Sequence, residues 1–148
     1  MTRIQSVTAL PNCARTSGEV WFLDASAFVK LLIVEAESAE LRRWIRGRDL
    51  VSSDLLRTEA RRAVAGEPDE VRWHCERLLE EIPMIRLVPA VLDRAGELPG
   101  RRLRSLDAIY LASALRLGDD LSGIVSYDMR QLAAAKGLGI PTCSPGAS

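Results

Sequence analysis

Four acidic side chains occupy positions where metal-dependent chemistry could be carried out, namely Asp24, Glu59, Asp107 and Asp128. Asp24 and Asp128 each follow a short apolar run of the kind that forms a buried strand, whereas Glu59 and Asp107 interrupt apolar helix faces. Because the four are far apart in sequence, only a fold could gather them. Carboxylates that meet at one point repel each other, and a divalent cation offsets that repulsion. The pattern therefore indicates metal-dependent chemistry.

The two helical acids are the harder ones to explain without a cation. The Glu59 helix is expected to present Leu55, Leu56, Ala60 and Ala63 on the same face as the carboxylate. Asp107 lies at the leading edge of a second apolar face, near a helix N-terminus that favours negative charge. That second face is marked by Leu106, Tyr110, Leu111, Ala114 and Leu117. A buried charge is costly unless it is paired or binds a cation.

The donor set selects the metal. No histidine or cysteine accompanies the four acids, and oxygen-only ligands favour Mg²⁺, with Mn²⁺ as a substitute, over zinc. Such sites commonly act on phosphate esters, because the ion polarises the phosphoryl oxygen and activates a water. The hydroxyls of Ser26 and Ser126 could order that water as supporting groups, or could make local backbone hydrogen bonds.

Strands and helices alternate along the chain, which predicts one α/β domain with a small parallel sheet of about five strands between helices. The strands are predicted at 20–23, 50–52, 84–88, 123–126 and 139–142. The helices are predicted at 25–34, 37–45, 54–64, 69–81, 90–98, 105–117 and 129–136. Residues 1–18 are expected to be an irregular N-terminal extension, 19–143 the domain, and 144–148 a C-terminal tail. In such sheets ligands bind beyond the carboxyl ends of the strands, where Asp24 and Asp128 fall.

Composition narrows the class of protein. The 148 residues carry 20 basic and 20 acidic side chains, which is not the charge balance of a strong nonspecific nucleic-acid binder. No apolar run is long enough for a membrane span, and the first twenty residues lack the apolar stretch of a secretory signal. The three cysteines are scattered and lack CxxC spacing, so neither a zinc site nor a disulfide framework is expected. We therefore expect a cytoplasmic protein with no membrane contact.

Four stretches around the acids resemble the PIN-domain ribonucleases, and specifically the VapC-type toxins of bacterial VapBC toxin–antitoxin systems. They read LDASAFVKLL, SSDLLRTEARRAV, RSLDAIYLASAL and VSYDMRQLAAAKGLGIP, and together they span the chain from Trp21 to Pro141. The third stretch is the most specific of the four. The chain departs from the family pattern at Tyr110, where relatives often have histidine, and in its N-terminal extension.

The resemblance implies an Mg²⁺-dependent endoribonuclease that cleaves tRNA, rRNA or mRNA through metal-activated water. By matching position, Asp24, Glu59, Asp107 and Asp128 would be both the catalytic residues and the metal ligands. The resemblance also implies a homodimer and a cognate VapB-type antitoxin, with DNA contacted only through that antitoxin.

An RNA substrate would need basic groups around the acidic site. The candidates are Arg57, Arg61 and Arg62 beside Glu59, and Arg101, Arg102 and Arg104 before Asp107. Of these, Arg61 and Arg104 are taken as the RNA-binding residues, although a solvated helix surface explains any single arginine equally well.

The antitoxin would need an apolar groove, and the first two helices supply a surplus of apolar side chains. These are Phe28, Leu31, Leu32, Leu41, Trp44 and Ile45. The alternative for this set is that most of its members belong to the core.

Two other functions use a similar sheet. A phosphatase-like or phosphoacceptor domain would want adjacent acids after the first strand and a lysine after a late strand. The sequence has Leu23-Asp24-Ala25-Ser26 in the first place, and neither Lys30 nor Lys136 is positioned for the second. A noncatalytic domain that binds a divalent metal is the other alternative, and the presence of all four acids argues against it.

Overall fold

A computed structural model describes residues 18–148, which form a five-stranded, fully parallel sheet with helical connections. The strands are β1 Val20–Leu23, β2 Asp49–Ser53, β3 Met84–Ile85, β4 Leu121–Val125 and β5 Thr142–Cys143. Their order across the sheet is β3-β2-β1-β4-β5, and each neighbouring pair is parallel. The predicted α/β fold with about five parallel strands is confirmed. The extension predicted at 1–18 lies outside the described residues except for Gly18.

Seven α-helices connect the strands within the described part of the chain. They are α1 Ala25–Leu32, α2 Ser38–Ile45, α3 Leu55–Ala63, α4 Asp69–Glu81, α5 Pro89–Glu97, α6 Ser105–Leu115 and α7 Met129–Gly137. A short 3₁₀ turn at Gly118–Asp120 leads into β4. Each predicted helix is present, with ends that differ by at most two residues from the predicted ones.

The third strand is shorter than predicted. Residues 84–88 were expected to be extended, but pairing with β2 ends at the register Ser53↔Ile85. The amide of Val88 then donates to the carbonyl of Arg86, so the chain turns. Because β3 lies at the edge of the sheet, no further strand holds these residues in extended pairing.

The last strand begins later than predicted. Residues 139–142 were expected to form it, but Gly139 has a φ of 74° and the amides of Gly139 and Ile140 donate back to carbonyls of α7. Pro141 has no N–H to give to a ladder. Strand pairing with β4 therefore starts at Thr142, opposite Ile124.

Strand β1 is the centre of the core. Trp21, Phe22 and Leu23 are consecutive and all are at most 1% exposed. Since consecutive strand residues point to opposite faces, both faces of β1 are covered. Continuous apolar character without alternation is what a parallel strand buried on both faces requires.

The order of the strands creates a switch point between β1 and β4. The chain builds outward from β1 to β2 and β3, then returns to place β4 and β5 on the other side. Connections leave β1 and β4 in opposite directions, which opens a crevice at their carboxyl ends. The residues that follow these two strands are Asp24 and Ser126.

Among residues 18–148, no helix has the length and apolar character needed to cross a membrane. Cys75 is buried and has a free thiol, whereas Cys143 is disulfide-bonded. The expectation that the cysteines take no part in disulfides is therefore wrong at Cys143.

A candidate active site at the carboxyl ends of β1 and β4

Asp24 is held rigidly at the end of β1. It caps α1, and its Oδ1 accepts hydrogen bonds from the Ala27 amide at 3.1 Å and the Ser26 hydroxyl at 2.6 Å. Its Oδ2 accepts a hydrogen bond from the Ser126 hydroxyl. The residue is only 4% exposed. Both carboxylate oxygens are thus fixed by donors, two from the first turn of α1 and one from the residue after β4.

The surroundings of Asp24 disfavour the ionised form of its carboxyl. Burial raises the pKa of its carboxyl to about 6, because the hydrogen bonds from Ser126, Ser26 and Ala27 offset only part of the desolvation. The nearby charge of Asp128 raises this pKa further. A carboxylate that is buried, hydrogen-bonded by neutral donors and close to a second acid is one that a cation would stabilise.

Asp128 lies across the crevice at the start of α7. Its Oδ1 caps that helix by accepting from the amides of Arg130 at 2.9 Å and Gln131 at 3.4 Å. Its own amide donates to the Ser126 hydroxyl at 3.1 Å. Ser126 therefore links the two acids directly, since it accepts from one residue and donates to the other.

Ser26 reinforces this link from the side of β1. Its hydroxyl, which donates to Asp24, also accepts from the Tyr127 amide at 2.9 Å and lies 3.3 Å from the Ser126 hydroxyl. The two serines were expected to order a water or to make local backbone bonds. The structure has both of them bonded to Asp24. Ser126 also makes the local backbone bond of the alternative, with the amide of Asp128, whereas the bond from the Tyr127 amide to Ser26 joins the two strand ends.

Asp107 approaches from the first turn of α6. The residue is half-buried, and burial together with the charge of Asp128 raises the pKa of its carboxyl. The guanidinium groups of Arg104 and Arg130 lower the same pKa. Asp107 is therefore close to an acid of the crevice and to two arginines at the same time.

Glu59 is tied to the site through Tyr110. The buried hydroxyl of Tyr110 donates a hydrogen bond to Oε2 of Glu59, from α6 to α3. Burial raises the pKa of Tyr110. The charges of Glu59, Asp24 and Asp107 all raise the pKa of Tyr110 as well. The charge of Asp128 raises the pKa of Asp24 and that of Asp107. The four predicted acids are thus linked electrostatically, through Tyr110 and through Asp128.

The buried apolar faces of α3 and α6, which carry Glu59 and Asp107, include fewer residues than predicted. Leu106 is 47% exposed and Ala63 is exposed, so neither belongs to the buried face assigned to it. The cause is position: Ala63 is the last residue of α3, and Leu106 lies in the first turn of α6. Glu59 and Asp107 accordingly lie at the borders of buried faces and are only half-buried.

None of the four acids forms a salt bridge within residues 18–148; the described ion pairs involve other carboxylates. In the same part of the chain, no three His, Cys, Asp or Glu side chains come close enough together to hold a metal ion. The predicted four-carboxylate metal set is therefore not assembled as a ready-made cage. Mg²⁺ needs only one or two carboxylates, because it keeps several waters and takes further oxygens from phosphate. Oxygen donors without a basic partner fit that requirement.

The predicted RNA-binding arginines fall in different surroundings. The guanidinium of Arg61 makes two hydrogen bonds of 2.8 Å to Glu76 on α4, so a carboxylate already occupies it. Arg104 is exposed, and its charge lowers the pKa of the Asp107 carboxyl. Sequence reasoning missed Arg130, whose charge also lowers that pKa. The available signal was its place two residues after Asp128, in the first turn of the helix that Asp128 caps.

The apolar set proposed for antitoxin binding belongs mostly to the core. Phe28, Leu31, Leu32 and Leu41 are at most 7% exposed, so the alternative interpretation of this set holds for them. Trp44 and Ile45 are half-buried. Larger exposed fractions are found at Val34, with 78%, and at Trp73 on α4, with 64%.

Known proteins resemble the chain over most of its length. The family model described as PIN domain matches residues 21–137. The chain is 45% identical over 125 residues to "Ribonuclease VapC46" of Mycobacterium tuberculosis, covering 84% of this chain and 96% of that protein. It is 38% identical over 133 residues to "Ribonuclease VapC47" of the same species, covering 85% and 97%. A crystal structure titled as a member of the VapBC family of toxin-antitoxin systems, VapBC-5 from M. tuberculosis, matches with a TM-score of 0.53 at 20% identity, over 84% of this chain and 95% of that one. That likeness concerns the fold.

Proposed function

The chain belongs to the PIN domain family, and from that premise we propose that it is an Mg²⁺-dependent endoribonuclease that acts as the toxin of a type II toxin–antitoxin pair. One observation carries the proposal: Asp24 is buried between two serines, its pKa is raised to about 6 by burial and by the nearby charge of Asp128, and no basic partner is bonded to it in residues 18–148. The names of the two relatives, both ribonucleases, support the reaction.

Asp24 and Asp107 are the residues that would hold Mg²⁺, with Asp128 and Glu59 acting directly or through water. When bound, the ion would polarise the phosphoryl oxygen and lower the pKa of an attacking water. Mn²⁺ would substitute, since it takes the same oxygen ligands.

The remaining chemistry belongs to the side chains. Asp128 is exposed and uses Oδ1 for its helix cap, and its Oδ2 makes no hydrogen bond within the described residues. That oxygen is available to accept a proton from the attacking water. Ser26 and Ser126 hold Asp24 in place, and Tyr110 holds Glu59.

The arginines supply the contact with RNA. Arg104 and Arg130 are exposed and close enough to Asp107 to lower the pKa of its carboxyl. Guanidinium groups bind phosphate oxygens in a bidentate manner. A phosphodiester drawn to this pair would lie beside the acids. The net charge of zero requires such local recognition, because no general basic surface attracts the strand.

A phosphoacceptor function has less support. Lys30 is 8% exposed, and its ammonium is paired with Glu35 at 2.6 Å and Glu37 at 2.9 Å. A lysine engaged in this way is not available to a phosphoryl group beside Asp24.

The proposed partners are a VapB-type antitoxin and a second copy of the chain. For the antitoxin, the exposed ring of Trp73 on α4 offers an amphipathic anchor. For the homodimer, Leu92 on α5 and Leu106 on α6 are both partly exposed on helices that pack together. An RNA substrate implies a cytoplasmic location, with DNA reached only through the antitoxin.

The deciding test compares wild type with Asp107→Asn and Asp119→Asn. Asp119 is an exposed acid in the 3₁₀ turn, so its substitution is a control for loss of one charge. We expect wild type and Asp119→Asn to arrest growth on controlled expression and to cut RNA in Mg²⁺ but not in EDTA. Sequencing of RNA 5′ ends would give the cleavage site. A folded Asp107→Asn protein with full nuclease activity would overturn the proposal.

A further inference from the structure

A cavity of about 540 Å³ lies beside the acidic site, between α7 and the segment that leads into α6. Its apolar lining includes Leu103 from that segment and Ala134 and Leu138 from α7. Sites for small organic groups in proteins have volumes of about 300–1,000 Å³ and linings of this kind. The cavity is therefore large enough for a flat organic group such as a nucleobase.

The polar groups of the cavity are all cationic. Arg101, Arg102 and Arg130 line it, and no acidic residue does. All three are exposed, and none forms a salt bridge in the part of the chain that the structure describes. Unpaired guanidinium groups around an apolar floor are complementary to a ligand that combines an apolar plane with negative charge.

Arg130 connects this cavity to the acids. It lines the cavity, and its backbone amide donates a hydrogen bond to Oδ1 of Asp128 at 2.9 Å. It follows Asp128 by two residues, within the turn that Asp128 caps. A chain of phosphates running past Asp128 would therefore pass the mouth of the cavity.

We propose that this cavity holds one unstacked base of the RNA strand, next to the phosphodiester that is cut, while Arg101, Arg102 and Arg130 contact the flanking phosphates or stack on the base. The inference rests on the ribonuclease function proposed above and names a specificity site for it. Single-stranded RNA is recognised by splaying bases out and stacking them on aromatic rings or guanidinium planes. The cavity has guanidinium planes and no aromatic lining residue. A protein helix as occupant would leave these cations without phosphate partners.

Gly137 allows the cavity to be filled without disturbing the fold. It is the last residue of α7 and lines the cavity, and a Cβ added there meets no heavy atom within 4 Å. Leucine at this position would occupy the space of a base and is a better helix former than glycine. Gly66 is a matched control, because its added Cβ also meets nothing within 4 Å and it is not a lining residue. Ala133→Leu, at an exposed lining position of α7, is a second filling variant.

The experiment uses the full chain and a 12-nucleotide RNA centred on the cleavage site found by 5′-end sequencing. Companion RNAs each lack the base at one position, with the sugar and phosphate retained. We expect one position at which base removal raises the KM of the wild type about tenfold, the size expected for loss of one stacked base. Gly137→Leu and Ala133→Leu should show the same tenfold rise with the intact RNA and no additional loss with that companion. Gly66→Leu should behave as wild type.

Three results would overturn the proposal. Absence of any RNA cleavage by the wild type would remove the proposed function and this inference with it. Cleavage by both filling variants with wild-type KM for every RNA would remove the base site alone. Unchanged RNA cleavage together with loss of antitoxin binding in the filling variants would assign the cavity to a protein partner.

Discussion

The Ser126 hydroxyl at the end of β4 donates a hydrogen bond to Oδ2 of Asp24 at the end of β1, across 102 positions of sequence. The same hydroxyl accepts the amide of Asp128 at 3.1 Å. Two acids that repel each other are thus held at a fixed separation by one neutral side chain. This arrangement places Asp24 and Asp128 at the switch point between the two halves of the sheet, and it yields direct tests.

Ser126→Ala should raise the pKa of Asp24 above its value of about 6, because the Ser126 hydroxyl is the strongest of the hydrogen-bond donors that lower it. Carboxyl-carbon NMR titration of the metal-free protein measures this pKa. Ser144→Ala is the control, since that hydroxyl donates to the Ser126 carbonyl at 2.6 Å and is not bonded to Asp24. An unchanged Asp24 titration in Ser126→Ala would contradict the role given to this hydrogen bond.

Asp24→Asn should stabilise the metal-free protein at neutral pH while removing nuclease activity. The folded-state pKa of Asp24 is raised from 3.8 to about 6, so the folded state binds more protons than the unfolded state between these values. The free energy of unfolding that this carboxyl contributes is therefore present below about pH 4 and lost as the pH rises through about 6. Because an amide has no charge to desolvate, the gain at pH 7.5 should be about 2–3 kcal/mol.

Urea denaturation in EDTA between pH 4 and pH 8 measures that effect. The stability difference between Asp24→Asn and wild type should grow across the interval and level off above about pH 7. Asp107→Asn should show the same sign with a smaller amplitude, because Asp107 is only half-buried. A wild type that gains stability at this site as the pH rises would contradict the sign.

Mg²⁺ should raise the melting temperature of the wild type. A ligand that binds only the folded state at ten times its dissociation constant adds about 1.4 kcal/mol, or about 3–6 °C for a domain of this size. Thermal unfolding at increasing Mg²⁺ concentration measures the shift, and Asp24→Asn should abolish most of it while Asp119→Asn leaves it intact. A flat response of the wild type at millimolar Mg²⁺ would count against a metal site.

Tyr110→Phe should lower kcat and destabilise the protein by about 1–3 kcal/mol, because it removes a partly buried hydrogen bond to the Glu59 carboxylate. Tyr127→Phe is a matched control, as its hydroxyl donates to the Pro145 carbonyl at 2.6 Å instead of to an acid. We expect the control to affect stability without affecting kcat. Equal rates for wild type and Tyr110→Phe in a nuclease assay would show that Glu59 does not depend on this bond.

Hydrophobic periodicity, together with the residues that end helices and strands, predicted most of the fold. The run at Val20–Leu23 was continuously apolar because β1 is buried on both faces, and α4 at Asp69–Glu81 was bounded by Pro68 and Pro83. The two errors concerned the lengths of β3 and β5, which depend on pairing with a neighbouring strand. Local composition does not indicate that β3 has a partner for two residues only, or that Gly139 delays β5.

The same division holds for the acidic site. The sequence by itself predicted four carboxylates for the site, because Asp24 and Asp128 follow strands and Glu59 and Asp107 interrupt apolar helix faces. It did not indicate Arg130 as a neighbour of Asp107, or Glu76 as the partner of Arg61. Those relations depend on the packing of different helices.

What the sequence by itself determined was thus the strands and helices on which the candidate acids lie, since strand and helix periods are local properties of the chain. Only the tertiary structure decided the surroundings of each group. Asp24 is buried between Ser26 and Ser126, and Glu59 accepts a hydrogen bond from Tyr110. Three arginines, which come from α7 and from the segment before α6, line one cavity. The physical reason is that burial and hydrogen bonding depend on neighbours distant in sequence, and these neighbours set the pKa and the availability of a side chain.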